Sequence, residues 1–375
     1  IITPKKSAKI MEKCDDEMIA DLGQRLLAAL NGNSRLVILT HNNPDPDAFA
    51  SACGLAAVIN VVAPECRVQI AYGGIVGRSE NRTMMRFLPY KAIPFGRVRG
   101  RDNVAYALVD TQPNAGNNVL PEDKVPAIVI DHHPRKKSTR PLLRETPFVD
   151  VRTGYGSCTT IVTEYMQCLD VPITTSMATA LVYGISSETQ HLGREASLQD
   201  RRIYNELVPL VNMRRLSQIE FSRRPREHFI HIRNAVDNAF VYRQVIGSRL
   251  GPINNPDVVA EVADFLLLHE RMSWAIVTAF YDGKLIISLR AASHRSQAGN
   301  MVRGLLEKHG GTAGGHNQVA GGQLDCQGLS TKEIARLDLK LIKDFIRQVT
   351  GVKNIKNIKP LVSEELSDPW VDDAE

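Results

Sequence analysis

The sequence predicts an α/β fold: a doubly wound, mainly parallel sheet domain joined to a smaller C-terminal α/β domain, with an interdomain cleft. Three observations carry that expectation. The chain has 375 residues, 43% of them apolar, which exceeds one comfortable core and suffices to fill two. Four short, nearly continuous apolar runs, RLVILT (35–40), CRVQIAY (66–72), VAYALVD (104–110) and PAIVID (126–131), are separated by helical or loop segments. That is the pattern of parallel strands covered on both faces. A turn-rich stretch, GSRLGPINNP (247–256), then precedes a second set of elements. The expected divisions are an N-terminal domain over 1–246, a C-terminal domain over 247–350 and a tail over 351–375.

The elements follow in order. DEMIADLGQRLLAAL (16–30) has helical apolar spacing, and Asn31-Gly32-Asn33 turns the chain into the first strand. Residues 157–245 are rich in helical patterns, with strand character returning at AFVYRQV. Beyond the turn-rich stretch come a helix over 257–269, strands WAIVTAFYDG and KLIISLRAA, a helix near 296–308 and the loop HGGTAGGHNQVAGGQL. Asp282-Gly283 between the two strands is a strong hairpin signal. A basic amphipathic helix (331–348) and an acidic tail ending in SDPWVDDAE close the chain, the tail reading as a solvated end.

Composition excludes several classes of function. No stretch approaches the roughly 18 apolar residues of a membrane span, and IITPKKSAKIMEKCDDE lacks the apolar core of a signal peptide, so a cytoplasmic protein with no membrane partner is expected. The six cysteines are scattered without a paired spacing and read as buried thiols. The net charge of +5 is modest; it suits a phosphate-bearing ligand, whereas a long-polymer binder usually shows a denser basic stripe.

Chemistry-bearing residues gather at the carboxyl ends of the predicted strands, where doubly wound sheets bind ligands. His41, Asp45 and Asp47 follow the first strand, Asp110 the third, and Asp131, His132 and His133 the fourth. Any one of these could be a helix cap or a hydrogen-bonded core residue; their recurrence in register points to a metal site. Crowded carboxylates are unfavourable without a cation or proton to neutralise them. Mixed imidazole and carboxylate donors suit manganese, iron, zinc or magnesium. Two such ions a few ångströms apart favour in-line displacement at phosphorus, so the expected chemistry is phosphoester hydrolysis.

His41-Asn42-Asn43-Pro44-Asp45-Pro46-Asp47-Ala48, Val109-Asp110-Thr111 and Asp131-His132-His133-Pro134 resemble, in that order, the first three motifs of the DHH phosphoesterases. Gly156-Ser157-Cys158-Thr159-Thr160 is similar to the fourth, at a helix start whose N–H groups can help hold anions. Gly314-Gly315-His316-Asn317-Gln318-Val319-Ala320-Gly321 is similar to the glycine-histidine signature of the RecJ-like branch's substrate-binding domain. The resemblance runs over about residues 30–325, and its ordered combination is more specific than any single motif.

The resemblance implies roles. His41, Asp45 and Asp110 would hold one manganese and Asp47, Asp110 and His132 a second, with magnesium or another divalent ion as the alternative. Asp131 would orient the histidines, and His133 would lie near the nucleophile or scissile phosphate. Arg290, Gly314, Gly315 and His316 would bind substrate; for Arg290 a plain strand-end arginine is the competing reading. Glu188 stands where the family pattern has aspartate, one methylene longer, and either reaches the second ion, as expected, or leaves that site half formed. His228 and His231 share a helix face without a third ligand and read as structural, and HGGTAGGH lacks the Gly-Lys-Ser/Thr ending of an ATPase loop.

The implied activity is a manganese-dependent phosphodiesterase or phosphatase, of oligoribonuclease or nucleotide phosphatase type. Its expected partner is a small nucleotide or short single-stranded oligonucleotide, such as linear diadenylate, short RNA or phosphoadenosine phosphate, with a homodimer left open. The alternatives are a pyrophosphatase or polyphosphatase, and a nucleotide-binding protein with a weakened catalytic site.

Overall fold

The computed structural model describes residues 16–100, 104–315 and 317–362. His316, Cys14 and the acidic tail from 363 lie outside these. The chain divides into two compact units, Ile1–Ser222 and Arg223–Glu375.

Helix α1 (Asp16–Leu30) leads into the first unit. Strands β1 (Arg35–Leu39), β2 (Arg67–Tyr72), β3 (Ala92–Pro94), β4 (Ala105–Val109), β5 (Ile128–Asp131) and β6 (Phe148–Val151) then form one sheet in the order β3-β2-β1-β4-β5-β6. Every pairing in it is parallel. Strand β4 is buried along its whole length and so are four of the five residues of β1, so their unbroken apolar runs are the expected signature of a sheet covered on both faces. The strand order reverses between β1 and β4, and such a switch point opens a crevice beyond the carboxyl ends of the strands.

The helices of this unit are α2 (Pro46–Val62), α3 (Ser79–Met85), α4 (Arg140–Glu145), α5 (Cys158–Cys168), α6 (Thr175–Glu188), α7 (Leu198–Leu207) and α8 (Met213–Glu220). Helix α2 is buried without interruption from Pro46 to Ile59, which fits a helix that is apolar all round. Small residues let its neighbours approach. A Cβ on Gly54 would stand 2.7 Å from Val162 of α5, and one on Gly184 of α6 would stand 2.7 Å from Ala50. Close packing of α2, α5 and α6 brings the start of α5 against Asp47.

The second unit contains α9 (Arg226–Asp237), β7 (Ala239–Tyr242), β8 (Val245–Pro252), α10 (Asp257–Leu266), β9 (Trp274–Tyr281), β10 (Lys284–Ala291), α11 (Ala298–Leu306), β11 (Thr312–Gly315), β12 (Val319–Asp325), α12 (Thr331–Thr350) and β13 (Lys359–Pro360). Its seven strands run β11-β12-β10-β9-β8-β7-β13; β8 and β9 are parallel and the other pairs antiparallel. The Asp282-Gly283 hairpin is present, with Tyr281 opposite Lys284 and both turn residues at positive φ (48° and 74°).

Two segments differ from the sequence reading. Much of GSRLGPINNP is strand β8, paired on both sides, and the division between units falls earlier, after Ser222. The glycine-rich segment read as a loop forms β11 and all but the last residue of β12, since backbone pairing does not require side chains to announce it. Among the described residues no helix is long and apolar enough to cross a membrane. Cys53, Cys66, Cys158, Cys168 and Cys326 are free and buried.

Candidate metal centre

The first loop is fixed before any ligand is considered. Asn42 N donates to Asn117 O at 2.5 Å, Asn43 N to Gly73 O at 3.0 Å, and Ile75 N to Asn43 Oδ1 at 2.8 Å. Asp45 is the N-cap of α2, its Oδ1 accepting from Ala48 N at 2.9 Å, with Pro46 opening the helix. Capping uses one oxygen; the other, Oδ2, lies 3.5 Å from His41 Nε2. Asp45 is thus a helix cap and a member of the cluster at once.

Asp110 follows β4 in a left-handed conformation, φ 57°, which is uncommon outside glycine, asparagine and aspartate. Its carboxylate is 2% exposed. Oδ2 lies 3.5 Å from His41 Nε2, while Oδ1 lies 3.4 Å from His132 Nε2 and 3.6 Å from His133 Nδ1. Oδ1 is buried and accepts no hydrogen bond of good geometry. Donor atoms of His41, Asp45 and Asp110 lie within 4.8 Å of one another, and so do those of Asp110, His132 and His133. Asp110 belongs to both sets.

The two imidazoles are oriented in the same way. His41 Nδ1 donates to Asn42 O at 2.9 Å and His132 Nδ1 to Tyr155 O at 3.1 Å. In each ring the bond fixes the tautomer and turns Nε2 toward the carboxylates, the arrangement metal-binding histidines use. A buried carboxylate oxygen lacking a donor and two imidazoles presenting Nε2 fit a divalent cation.

Asp47 is fully buried, and its carboxylate takes the N–H groups at the start of α5: Oδ2 from Cys158 and Oδ1 from Thr159, each at 2.8 Å. The anion held by the Gly-Ser-Cys-Thr-Thr segment is therefore this side chain. His132 Nε2 lies 3.8 Å from Asp47 Oδ2. Asp131 makes no approach of this kind. Its Oδ1 accepts from His132 N at 2.9 Å and from His133 Nδ1 at 2.8 Å, and its Oδ2 from Gln112 Nε2 at 2.7 Å. It holds the His133 ring through Nδ1 and the His132 backbone through N–H.

The charge balance is divided. Burial opposes the ionised form of Asp110, but the neighbouring His132 and His41 imidazoles outweigh it and hold the carboxyl below the usual range. Burial and the neighbouring Asp110 push Asp47 well up. Burial, with Asp45 adding to it, raises Glu188 to about 7. Burial would lower the imidazoles, yet Asp45 and Asp110 raise His41 and Asp110 raises His132. In His133, Asp131 overcomes burial in the same direction. Acids that resist ionisation beside histidines that hold protons form a site short of positive charge.

Glu188 ends α6 outside both donor sets. Its charge is felt by Asp47 and His132, and its Oε1 lies 3.9 Å from Arg194 Nη2, which also donates to Glu188 O at 2.7 Å. The other sequence-derived residues lie in the second unit. Arg290 is buried and bound by both Nε and Nη2 to Asp264 and by Nη1 to Ser288 Oγ (2.9 Å) and Leu289 O (3.0 Å). Gly314 and Gly315 pair with Gly321 and Ala320; Gly315 has φ 142°, and a Cβ there would stand 2.4 Å from Val319 O. His228 pairs with Glu261 at 3.1 Å.

Two supporting residues were missed in the sequence. Gln112 binds Asp131 and also donates to His133 O at 2.9 Å; its place two residues after Asp110 was the available signal. Asp200 accepts from Gly156 N and Ser197 N, each at 2.7 Å, and from Thr160 Oγ1, tying α7 to the start of α5. Ser197-x-x-Asp200 is a readable capping box.

A parallel sheet with an acid-imidazole cluster at its switch point defines an α/β phosphoesterase when joined to the family comparisons. The model for the DHH family N-terminal domain matches residues 35–185, and that for the DHHA1 domain matches 238–348. The chain belongs to the DHH family of phosphoesterases, hydrolases that use divalent metals. It is 30% identical over 362 residues to an uncharacterized protein of Methanocaldococcus jannaschii, covering 94% of this chain and 69% of that protein. An exopolyphosphatase-related protein from Bacteroides fragilis superposes with TM-score 0.64 at 13% identity, covering 87% of this chain and 97% of that one. A DHH domain described as a member of the s1p family of ribosomal proteins gives 0.51 at 13% identity, covering 90% and 91%. At such identity both show a shared fold alone.

Proposed function

We propose that the protein is a manganese-dependent phosphodiesterase or phosphatase that hydrolyses short oligonucleotides or small nucleotides. The observation that supports this reading best is the sharing of Asp110 between the His41–Asp45 set and the His132–His133 set. In this reading His41, Asp45 and Asp110 hold one ion, Asp47, Asp110 and His132 the other, and Glu188 completes the second set. Bound ions would supply Lewis acidity toward water and phosphate oxygens. The chain's own residues do the rest.

Asp131, held by Gln112, fixes the His133 ring through Nδ1, so that Nε2 faces outward to hold or pass a proton at the phosphate. His133 has a 39% exposed side chain, enough for substrate to reach it. Gly314, Gly315, His316 and Arg290 are the proposed substrate-binding residues of the second unit, and the commitment of Arg290 to Asp264 favours a supporting role for it. The test is a substrate panel of diadenylate, short RNA, phosphoadenosine phosphate, pyrophosphate and polyphosphate, with manganese or magnesium, read by product chromatography. Nucleotide turnover that requires metal is expected. Turnover of pyrophosphate or polyphosphate alone would replace this reading with the second activity, and nucleotide binding without turnover would replace it with a sensor.

A further inference from the structure

Helix α12 carries Lys332, Arg336, Lys340, Lys343 and Arg347. At about 100° per residue these five fall within an arc of about 80°, and at about 1.5 Å per residue they extend for about 22 Å. All but the half-buried Lys343 are exposed. The opposite side of the helix buries Leu341, Ile342, Phe345 and Ile346 in the core of the second unit. The cations therefore form one straight outward stripe.

The acids of α12 leave that stripe almost uncompensated. Glu333 caps the helix at Ser330, and Asp338 is bound to Arg249 at 2.7 Å. Asp344 pairs with Arg347. Among the described residues the other four cations have no acidic partner. An ordinary solvated helix intersperses charges of both signs, with i,i+4 pairs between them. The next exposed cations, Lys353, Lys356 and Lys359, continue the positive run.

We propose that α12 is a docking track for the sugar-phosphate backbone of a polynucleotide. Positions four apart on a helix lie about 6 Å apart along its axis, comparable with the spacing of phosphates along a strand, and a line of point charges suits a line of anions. Burial of the apolar side within the core argues against an anionic membrane surface, since an interfacial helix must free that side to insert. The modest net charge of the whole chain conceals this local density. The inference stands on the second unit alone and holds whichever phosphoester the metal centre cuts.

The test uses the full chain in EDTA, where binding is read without cleavage, by anisotropy of labelled single-stranded RNA, single-stranded DNA and duplex DNA at several salt concentrations. Four uncompensated cations predict a slope of log K against log salt of about −2.8 on single strands or about −3.6 on duplex. The three ligands identify which polynucleotide is taken. Lys332→Ala/Arg336→Ala/Lys340→Ala is expected to weaken binding about tenfold or more and flatten the single-strand slope by about 2. Arg336→Lys, which keeps the charge, is expected to keep the slope. Metal-supported hydrolysis of a dinucleotide is expected to be unchanged in the triple variant, so failure of the catalytic reading is seen separately. Polynucleotide binding that the triple variant retains in full would overturn the proposal, as would the absence of salt-dependent polynucleotide binding by the parent chain.

Discussion

Buried charge is handled oppositely in the two units. In the first, Asp110 lies between His41 and His132, Asp47 approaches His132, acids and imidazoles compete for protons, and Asp110 Oδ1 is left without a hydrogen bond of good geometry. In the second, Arg290 is equally buried, but Asp264, Ser288 and Leu289 satisfy it from within the same unit. A buried charge with its complement built in is architecture. One whose complement is incomplete is a candidate ligand position.

The largest expected effect breaks the first side of that contrast. Asp110→Asn removes the carboxylate common to both donor sets, so metal-supported hydrolysis is expected to disappear while circular dichroism and cooperative unfolding persist. Full activity in that variant would remove Asp110 from the site.

On the second side, Asp264→Ala should lower unfolding free energy by about 2–3 kcal/mol in denaturant titrations, because it strands a buried guanidinium beside a carboxylate position that water partly reaches. Metal binding at the first unit should be retained. A near-neutral result would mean that the Arg290 guanidinium is free for substrate.

A smaller loss, about 1 kcal/mol, is expected from Ser157→Ala, which removes the N-cap bond that Thr160 N donates to Ser157 Oγ. Because α5 also holds Asp47, metal affinity measured by calorimetry should fall with it. A stability change without an affinity change would separate the cap from the site.

The subtlest test concerns pH. Folding raises Glu188 from 4.5 to about 7, so its contribution to metal-free stability is complete below the lower value and is lost as pH rises through the upper. Glu188→Gln should therefore raise the metal-free Tm at alkaline pH and change it little at acid pH. In the parent protein metal affinity should climb as pH rises through about 7, and the variant should flatten that climb. A variant with the parent's pH profile would assign the titration elsewhere.

Much of the acid-imidazole cluster was legible because its residues are local to strand ends. The apolar runs located β1, β4 and β5, and the polar residues just past each run became neighbours once the strands paired in parallel. Other features depend on distant partners that no spacing reveals. Asp264 meets Arg290 across 26 positions, and Asp47 meets Cys158 across 111. The glycine-rich β11 was obscured for a different reason: residues without side chains carry no alternation to read. The basic residues of α12 were visible one by one, but their alignment on a single side emerges only with helical geometry and the fate of each acid.

The two amide bonds that Asp47 receives from Cys158 and Thr159 also make the protein its own gauge. Any cation drawing on that carboxylate must share it with the opening turn of α5, so hydrogen exchange at these two amides should report occupancy directly. The packed core and the acid-imidazole cluster meet in one side chain, and neither can be altered there in isolation.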